Sequence, residues 1–347
     1  MSPGPDMILI DAVYINAGGG KALLEELLMS LRGSEGVCLL RDIRIEDVDT
    51  MGFQVYDIPP NEGARTRFYR KYRQHLTRVL CFGNVPPPFR LNADVAVYFH
   101  NMLLCETVTE IGWFRRIKLA IKMAYIRLKC RNADRFLVQS QAVLEALARR
   151  LPAGTRIEEM PFYTPQSAIE ASTSSMMSRW GKFAYVSNAY PHKNHRTLIQ
   201  AWALLARRGL FPELHLTISS LYPEVLAQIE EARAVGANIT NHGFTDPAHL
   251  YQQCGYQIFP SLMESFGLAL VEAAESGCAV IASNRPYVYQ VVKPTHTFDP
   301  HSPESICEVV ALAAGKQAPA AEVTVVNHTP RLISWFLTGL TEAPTLS

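Results

Sequence analysis

Short apolar runs alternate with longer segments of helical period along most of the chain. In the first half we predict strands at residues 7–14, 36–40, 52–56, 79–82, 94–99 and 135–138, and helices at 21–31, 66–76, 115–129 and 142–150. In the second half we predict strands at 183–186, 214–218, 239–242, 256–259 and 279–282, and helices at 195–207, 223–235, 247–254, 268–276 and 303–314. This alternation favours parallel sheets with crossover helices. The fold class we predict is α/β, with two doubly wound Rossmann-like domains.

One segment, residues 164–178, separates the two halves because its residues are small, polar and without period, which is typical of a linker. We therefore predict an N-terminal domain over residues 1–165 and a C-terminal domain over residues 166–325. Residues 326–347 are predicted to form a helix that packs back towards the N-terminal domain. Because ligands bind beyond the carboxyl ends of strands in open α/β sheets, we expect two such domains to face a central cleft that holds the site.

Composition narrows the class of protein further. The chain has 347 residues, 48% of them hydrophobic, which is enough for two cores. A formal net charge of +1 and the lack of any reader motif argue against nucleic acid as a partner. The seven cysteines are scattered without a Cys-x-x-Cys pair, which favours reduced thiols over a disulfide framework or zinc cluster. Since no run of 18 apolar residues occurs, we expect a cytoplasmic protein without a membrane span.

The most informative segment is residues 260–274, PSLMESFGLALVEAA, which follows an apolar strand and enters a helix. Gly267 allows a close approach of the backbone to a ligand, and the N–H groups of the first helical turn form an anion site. If the span from Glu264 to Glu272 were all helical, it would separate the two Cα atoms by about 12 Å, the scale of a nucleoside-diphosphate sugar from hexose to ribose. A carboxylate at each end can then accept hydrogen bonds from sugar hydroxyls and from the ribose diol.

This segment resembles the Glu-x7-Glu motif of retaining glycosyltransferases of family 4, which have the GT-B fold. The resemblance implies that Glu264 is catalytic and that Glu272, Ser265, Phe266 and Gly267 bind the donor. It continues over residues 277–283, GCAVIAS, although Ala279 stands where the family often has proline. The alternative is an amphipathic helix with two solvated glutamates.

A second match to that family begins at residues 185–188, YVSN, and continues into residues 191–195, PHKNH. It is similar to the family's element whose lysine contacts the donor diphosphate, so Lys193 is a candidate catalytic residue that stabilises the departing charge. The family usually has Gly-Arg where this chain has Ser187-Asn188. Asn188 is thus expected at the donor without the usual arginine, and Arg196 is a candidate for the missing cation. The alternative for Lys193 is a solvated lysine at a helix start.

The glycine-rich residues 16–21, NAGGGK, lie between the first strand and the first helix. They resemble the family's glycine loop, which implies that Gly18 and Gly19 face the donor phosphates and the acceptor. They do not form a Walker A loop, because Ile15 occupies the first glycine position and Ala22 follows the lysine. The alternative is a simple tight turn.

His100 ends the predicted strand 94–99. The resemblance places a histidine at such a strand end near the transferred sugar, so His100 is a candidate catalytic residue. A neutral imidazole can donate to or accept from a sugar hydroxyl. Asn101 and Glu106 are candidates for the acceptor side. Later in the chain, Gly243 and Phe244 resemble the turn that packs against the donor base.

Two basic runs without an acidic residue lie in the N-terminal half, at Arg65–Arg78 and Arg115–Arg131. The second alternates basic and apolar positions, and a basic amphipathic helix is typical of attraction to anionic lipid headgroups. Enzymes that resemble this family often act on lipid-linked acceptors, so we expect peripheral contact with the inner face of the cytoplasmic membrane. The alternative is a core-facing helix with a solvated basic edge.

The resemblance implies transfer of a hexose or deoxyhexose from a nucleoside-diphosphate sugar to a glycan or lipid-linked acceptor, with retention and in surface polysaccharide assembly such as lipopolysaccharide. It implies no metal and no cofactor besides the donor substrate. Two alternatives on the same fold are a nucleotide-sugar epimerase and a catalytically silent nucleotide-sugar-binding or scaffold subunit. A third is a single-domain, metal-dependent transferase that would hold a divalent ion with Asp47-Val48-Asp49.

Overall fold

The structure is a computed structural model of the chain, and it describes residues 7–16, 18–45, 48–106, 111–165, 177–243 and 245–340. The chain divides into two compact units. One comprises Met1–Thr107, Gly112–Thr164 and Val326–Ser347, and the other comprises Val108–Ile111 and Pro165–Val325. We call them the N-terminal and the C-terminal unit and describe each by itself.

The N-terminal unit is built around a seven-stranded parallel sheet. Its elements are β1 (Met7–Ala12), α1 (Gly18–Ser30), β2 (Val37–Asp42), β3 (Gln54–Ile58), α2 (Glu62–Tyr72), β4 (Leu76–Cys81), β5 (Asp94–Phe99), α3 (Trp113–Lys129), β6 (Arg135–Val138), α4 (Gln141–Ala148) and β7 (Ile157–Glu159). The strand order is β3-β2-β1-β4-β5-β6-β7, so the direction of winding reverses between β1 and β4. In doubly wound sheets this switch point is where ligands bind.

The C-terminal unit has a six-stranded parallel sheet in the order β10-β9-β8-β11-β12-β14. Its elements are β8 (Lys182–Tyr185), α5 (His195–Arg207), β9 (Glu213–Leu216), α6 (Pro223–Ala234), β10 (Ile239–Asn241), α7 (Pro247–Gln253), β11 (Tyr256–Phe259), α8 (Leu268–Glu275), β12 (Ala279–Ser283), α9 (Pro286–Val291), β13 (Val292–Lys293), β14 (His296–Phe298), α10 (Pro303–Ala313) and β15 (Glu322–Val323). Here the winding reverses between β8 and β11. The short strands β13 and β15 form a separate antiparallel pair.

The final helix, α11 (Thr329–Thr338), belongs to the N-terminal unit. Leu332, Trp335 and Phe336 are buried in the core of that unit. The indole Nε1 of Trp335 donates a hydrogen bond of 2.7 Å to the Asp94 carboxylate at the start of β5. The chain therefore returns to its first unit after completing the second.

The predicted fold class is confirmed: both units are doubly wound, parallel α/β structures. Strands β5, β6 and β11 have the predicted bounds because each is a short, mostly apolar run in which nearly every residue is buried. Helix α2 starts at residue 62 instead of 66, because Asn61 Oδ1 accepts the Ala64 N–H at 2.9 Å and caps the helix one turn earlier. Strands β7 and β14 and helix α9 were not predicted, since they are too short to show a period.

Candidate functional site

The two segments that carry the resemblance in the C-terminal unit are joined by an ion pair. Lys193 Nζ lies 2.6 Å from Glu264 Oε1, and the two side chains are 19% and 11% exposed. Lys193 ends a 3-10 turn, Pro191–Lys193, in the loop after β8, and Glu264 lies in the loop after β11. These two strands are neighbours at the switch point of the sheet. The ion pair therefore lies at the position where an open α/β sheet binds its ligand.

Hydrogen bonds fix the two loops to each other. The hydroxyl of Tyr185 donates to the Lys193 carbonyl at 2.8 Å and lies 3.0 Å from Ser261 Oγ. The Leu262 N–H donates to the His192 carbonyl at 2.8 Å. Asn194 takes a left-handed conformation with φ 60°, and its amide donates to the carbonyls of Pro260 and Pro300. Sequence reasoning did not assign Tyr185 or Asn194 a part in the site, although both lie in the segment that carries the second match.

The segment between Glu264 and Gly267 is a loop, and the helix α8 begins only at Leu268. The separation of about 12 Å estimated for a continuous helix does not apply to this span, because only its second half is helical. Gly267 has φ 92°, a conformation that side chains disfavour, and precedes the first helical turn. Phe266 is buried and Ser265 is half-buried. The turn thus directs the N–H groups of the first turn of α8 out of the helix end, as an anion site requires.

Glu272 lies on α8 and is half-buried. Its Oε2 accepts a hydrogen bond of 3.4 Å from the Tyr251 hydroxyl, and burial raises the pKa of the carboxyl to about 7. Desolvation disfavours the charged form, so this glutamate titrates near neutral pH. A carboxyl with such a pKa is often found at a functional site.

The expected arginine position holds no cation. Asn188 Oδ1 is buried and accepts no hydrogen bond from the described residues. Arg196, the candidate replacement, lines a groove of about 390 Å³ between α5 and α6 together with Glu224 and Glu231. Lys193 is therefore the cation that the described residues place at the ends of β8 and β11.

The predicted base-binding turn follows β10. Gly243 has φ 66°, and its N–H lies 3.4 Å from Asn241 Oδ1. The Asn241 amide also holds Ile218 after β9 through two hydrogen bonds, Ile218 N–H to Oδ1 at 2.8 Å and Nδ2 to the Ile218 carbonyl at 2.9 Å. Phe244 lies outside the described residues.

In the N-terminal unit, the glycine loop and His100 lie next to each other. Gly18 has φ 64° and starts α1, and Gly19 has open space around its Cα. A Cβ placed on Gly20 would lie 3.1 Å from His100 Cε1. A side chain at position 20 would therefore press on the imidazole, which favours glycine at this position of α1.

His100 follows β5 and is held by Asn84, which follows β4. Asn84 Oδ1 accepts the His100 N–H at 2.8 Å, and His100 Nε2 lies 3.0 Å from the Phe82 carbonyl. Nε2 also lies 3.2 Å from Asn84 Nδ2, so this ring nitrogen faces one acceptor and one donor. Burial lowers the pKa of His100 to about 4, so the ring is neutral at pH 7.

The two acceptor-side candidates follow His100. Asn101 precedes the 3-10 turn Met102–Leu104 without a capping hydrogen bond from its side chain. Glu106 Oε1 pairs with Arg149 Nη2 at 2.5 Å, and both side chains are exposed. Glu106 therefore forms a surface ion pair in this unit.

The first basic run is divided by burial. Arg65 is 1% exposed and pairs with Asp11 at 2.7 Å and with Glu62 at 2.9 Å. Arg65 therefore does not contribute to the basic surface that this run was predicted to present to a membrane, because its charge is neutralised by carboxylates in the interior of the unit. Arg67, Arg70 and Lys71 are exposed on α2.

The second basic run forms α3, which has two apolar faces. Met123 and Ile126 are buried against the unit. A second set of large apolar side chains is between 48% and 75% exposed: Trp113, Phe114, Ile117, Ile121 and Leu128. At 3.6 residues per turn these five positions fall within a sector of about 100°, on the side away from Met123 and Ile126. The alternative, a core-facing helix with a solvated basic edge, does not account for these exposed apolar side chains.

Among the described residues, no group of three or more His, Cys, Asp or Glu side chains is placed to hold a metal ion. Asp47 of the Asp-Val-Asp triplet lies outside those ranges, and Asp49 Oδ1 accepts the Met51 N–H in a local turn. No helix in the part that the structure describes is long and apolar enough to cross a membrane.

Comparison with known proteins supports the coarser part of the resemblance, a glycosyl transferase group 1 domain. Residues 180–321, most of the C-terminal unit, match the family Glycosyl transferases group 1. A segment of 138 residues is 30% identical to O-antigen chain mannosyltransferase B of Escherichia coli, and it covers 38% of this chain and 36% of that protein. The chain spans between 14% and 36% of the length of the curated relatives it matches.

Solved structures match over both units. Sucrose-phosphate synthase from Thermosynechococcus elongatus has a TM-score of 0.70 at 16% identity, covering 90% of this chain and 92% of that one. HepE from Anabaena, solved in complex with UDP and glucose, has a TM-score of 0.65 at 14% identity, covering 88% of this chain and 89% of that one. At these identities the likeness shows the fold, which is GT-B.

Proposed function

We propose that this protein is a glycosyltransferase that moves a hexose or deoxyhexose from a nucleoside-diphosphate sugar to a glycan or lipid-linked acceptor with retention, in surface polysaccharide assembly. The observation that carries the proposal is the Lys193–Glu264 ion pair at the switch point of the C-terminal sheet. It lies in the unit whose residues match a glycosyltransferase family. The similarity to an O-antigen mannosyltransferase supports the surface-glycan part of the proposal.

Lys193 and the start of α8 bind the donor diphosphate in this proposal. An ammonium has three N–H donors, so Nζ can keep Glu264 with one and hold phosphate oxygens with the others. The N–H groups of the first turn of α8 supply further donors at the positive end of the helix dipole. Together they stabilise the charge that grows on the diphosphate as it departs, which lowers the barrier without a metal ion.

The two glutamates recognise the ends of the donor. Glu264, held in place by Lys193, accepts hydrogen bonds from hydroxyls of the transferred sugar. Glu272 accepts hydrogen bonds from the ribose diol, and its neighbour Tyr251 orients the carboxylate. Because HepE was solved with UDP and glucose, a UDP-sugar is the first donor to test.

His100 contacts the transferred sugar as a neutral ring. A neutral imidazole has one donor and one acceptor nitrogen, so the ring can donate to or accept from a sugar hydroxyl. The acceptor hydroxyl approaches the anomeric carbon on the face from which the diphosphate departs. The new carbon–oxygen bond forms as the bond to the diphosphate oxygen breaks, and that oxygen takes the hydroxyl proton. The products are the glycosylated acceptor and the nucleoside diphosphate, and no side-chain base is required.

The exposed apolar side chains of α3 support a membrane as a partner. Its apolar side chains are bordered by the exposed residues Arg116 and Arg127 on one edge and Lys118 on the other. An exposed apolar patch within a basic rim fits an anionic lipid surface, where apolar burial and charge act together. The proposal places the protein at the inner face of the cytoplasmic membrane, where a lipid-linked acceptor is available.

The enzymatic part is tested with Lys193→Met, Glu264→Gln and Glu272→Gln. The matched controls are Lys182→Met and Glu213→Gln, which remove a second lysine–glutamate pair of the same unit, 3.4 Å apart and at the surface. We expect the site variants to lose about 100-fold or more in donor hydrolysis and transfer, as when one transition-state donor is removed. The two control variants should hydrolyse the donor and transfer the sugar at nearly the rates of the unchanged protein. Near-normal rates for all three site variants would refute the assignment, and an isomerised nucleotide sugar formed without acceptor would identify an epimerase.

The membrane part is tested by co-sedimentation with vesicles. Binding to phosphatidylglycerol vesicles should weaken about tenfold for Ile117→Ser and again for Ile121→Ser, since each removes an isoleucine that the bilayer would bury. The control is Leu221→Ser, which removes an 82%-exposed leucine of the C-terminal unit. Equal binding to neutral phosphatidylcholine vesicles, or no loss in the Ile variants, would contradict this surface.

A further inference from the structure

Lys122 on α3 is a lysine for which the proposed reaction gives no use. Its Nζ lies 5.2 Å from the centre of the Tyr14 ring. None of the described residues accepts a hydrogen bond from Nζ, and no described carboxylate lies within 4.0 Å of it. Sequence reasoning did not separate Lys122 from its basic run, yet it is half-buried whereas Lys118 one turn earlier is exposed.

The carboxylates near Lys122 are already engaged. Glu62 accepts hydrogen bonds from the Tyr14 hydroxyl at 2.6 Å, from the Tyr125 hydroxyl at 2.7 Å and from Arg65 at 2.9 Å. Asp11 is held by Arg65 and by the Tyr69 hydroxyl. The two carboxylates are balanced by the two cations Arg65 and Lys122, although none of the described residues accepts a hydrogen bond from Lys122 Nζ. A half-buried ammonium whose N–H donors are not engaged by the described residues is available to bind an acceptor group.

Two residues at the carboxyl edge of this sheet have positive φ. Tyr14, which follows β1, has φ 78°, and Asn84, which follows β4, has φ 67°. Positive φ in a residue other than glycine is uncommon and clusters at functional sites. Strands β1 and β4 are the pair between which the winding of this sheet reverses. Both strained residues thus lie at the ligand-binding edge of the sheet.

The same edge carries His100 and the glycine loop. His100 is held by Asn84, and the charge of Lys122 contributes to keeping its ring neutral. Gly20 lies against the imidazole. Lys122 therefore acts on the residues where the transferred sugar and its acceptor are proposed to meet.

We propose that Lys122 is the anion-binding residue of an acceptor subsite in the N-terminal unit, and that the acceptor carries a phosphate or diphosphate ester near the hydroxyl that receives the sugar. The choice of a phosphorylated acceptor rests on the proposed function. The presence of a phosphate site at Lys122 does not rest on the proposed function. It is inferred from the ammonium donors of Lys122 and from the positive-φ residues of this unit.

The first experiment tests the anion site without any enzyme assay. The lysines are converted to ¹³C-dimethyl-lysine, and the Lys122 resonance is assigned by its loss in Lys122→Met. We expect this resonance to shift and saturate on titration with inorganic pyrophosphate, and to do so equally in Lys193→Met, which removes the proposed donor lysine. Exposed Lys293 on β13 should not respond. If the Lys122 resonance does not shift with pyrophosphate, or if its shift disappears in Lys193→Met, the proposal is overturned.

A second arm separates a phosphate ester from a lipid headgroup. In Ile117→Ser, whose binding to vesicles is expected to be weakened, phosphatidylglycerol vesicles should leave the Lys122 resonance unchanged while pyrophosphate still shifts it. If only vesicles shift it, Lys122 belongs to the membrane surface and the acceptor subsite is refuted.

The third experiment concerns the acceptor. Lys122→Met should raise the acceptor KM about tenfold for a polyprenyl-diphosphate-linked sugar, the loss of one charge-assisted hydrogen bond, and leave the donor KM unchanged. Lys122→Arg should restore most of the affinity, and a neutral glycan acceptor should show no difference between the variants. An equal effect on both acceptors would contradict the subsite. If the protein transfers no sugar to any acceptor, the proposed function fails, and the pyrophosphate titration still decides whether Lys122 binds an anion.

Discussion

Lys193 Nζ donates to Glu264 Oε1 at 2.6 Å, although the two residues are 71 positions apart in the chain. Each follows a strand of the C-terminal sheet, and those strands are adjacent. The contact joins Lys193, which is expected to bind the donor diphosphate, to Glu264, which is expected to bind the transferred sugar. A change at one residue is therefore expected to disturb the other.

This coupling can be measured in a double-mutant cycle of Lys193→Met and Glu264→Gln. Both side chains are mostly buried, so each single change leaves a partner unsatisfied and should lower the free energy of unfolding by about 1–3 kcal/mol. The double variant should lose less than the sum of the two, with a coupling of at least about 0.5 kcal/mol in urea unfolding. Additive losses would show that the pair does not stabilise the fold.

Glu272 makes donor affinity depend on pH. Its pKa is raised to about 7 by burial, so the carboxyl is mostly protonated at pH 6 and mostly ionised at pH 8. If the ionised form binds the ribose diol, nucleoside diphosphate affinity should rise by up to about tenfold from pH 6 to pH 8. Calorimetric titration at both pH values measures this. Glu272→Gln should flatten the dependence, while exposed Glu224→Gln should keep it; a pH-independent affinity in the unchanged protein would contradict the assignment.

His195 should make the C-terminal unit sensitive to acid. Burial lowers its pKa to about 3, and neither ring nitrogen has a hydrogen-bond partner among the described residues. The unfolded chain takes up a proton below pH 6.5 and the folded unit does not, so stability falls as the pH decreases. The loss from this residue reaches about 2 kcal/mol at pH 5.

His195→Phe should remove this loss of stability, because phenylalanine does not take up a proton. The new ring should fit the site, since the His195 ring already packs on Tyr185 with a centroid distance of 4.7 Å. Urea unfolding at pH 7 and pH 5 would show it as a smaller pH slope than that of the unchanged protein. The exposed histidine of α7 provides the control: His249→Phe should keep the full slope. A steeper slope in His195→Phe would be the contrary result.

Gly267 is expected to tolerate alanine less well than Gly277. Both have positive φ, 92° and 84°, but a Cβ at Gly267 would lie 3.2 Å from Leu270 Cδ1, whereas Gly277 has open space. Gly277→Ala should cost about 1 kcal/mol for the left-handed backbone alone. Gly267→Ala should cost about 2–3 kcal/mol and also weaken nucleoside diphosphate binding, because it moves the first turn of α8. Equal losses in the two variants would refute the crowding at Leu270.

The sequence predicts much of this fold because its strands are buried runs bounded by turn residues. Residues 94–99 and 256–259 have the predicted strand bounds, since each is a mostly apolar run that is too short for a typical helix. The start of α2 was misplaced because the Asn61 cap lies outside any periodic pattern. Glu264, Gly267 and Glu272 could be identified as site residues because their motif is local. Whether they bind a donor remains a prediction.

What the sequence by itself determined is the order of elements and the chemistry at each strand end, because both depend on neighbouring residues. The tertiary structure alone decided which side chains meet and which charges are left open. Arg65 and Lys122 both belong to basic runs, yet one is buried in ion pairs and the other keeps its donors open. A one-dimensional pattern does not distinguish them, because burial and pairing are set by residues that are far apart in the chain.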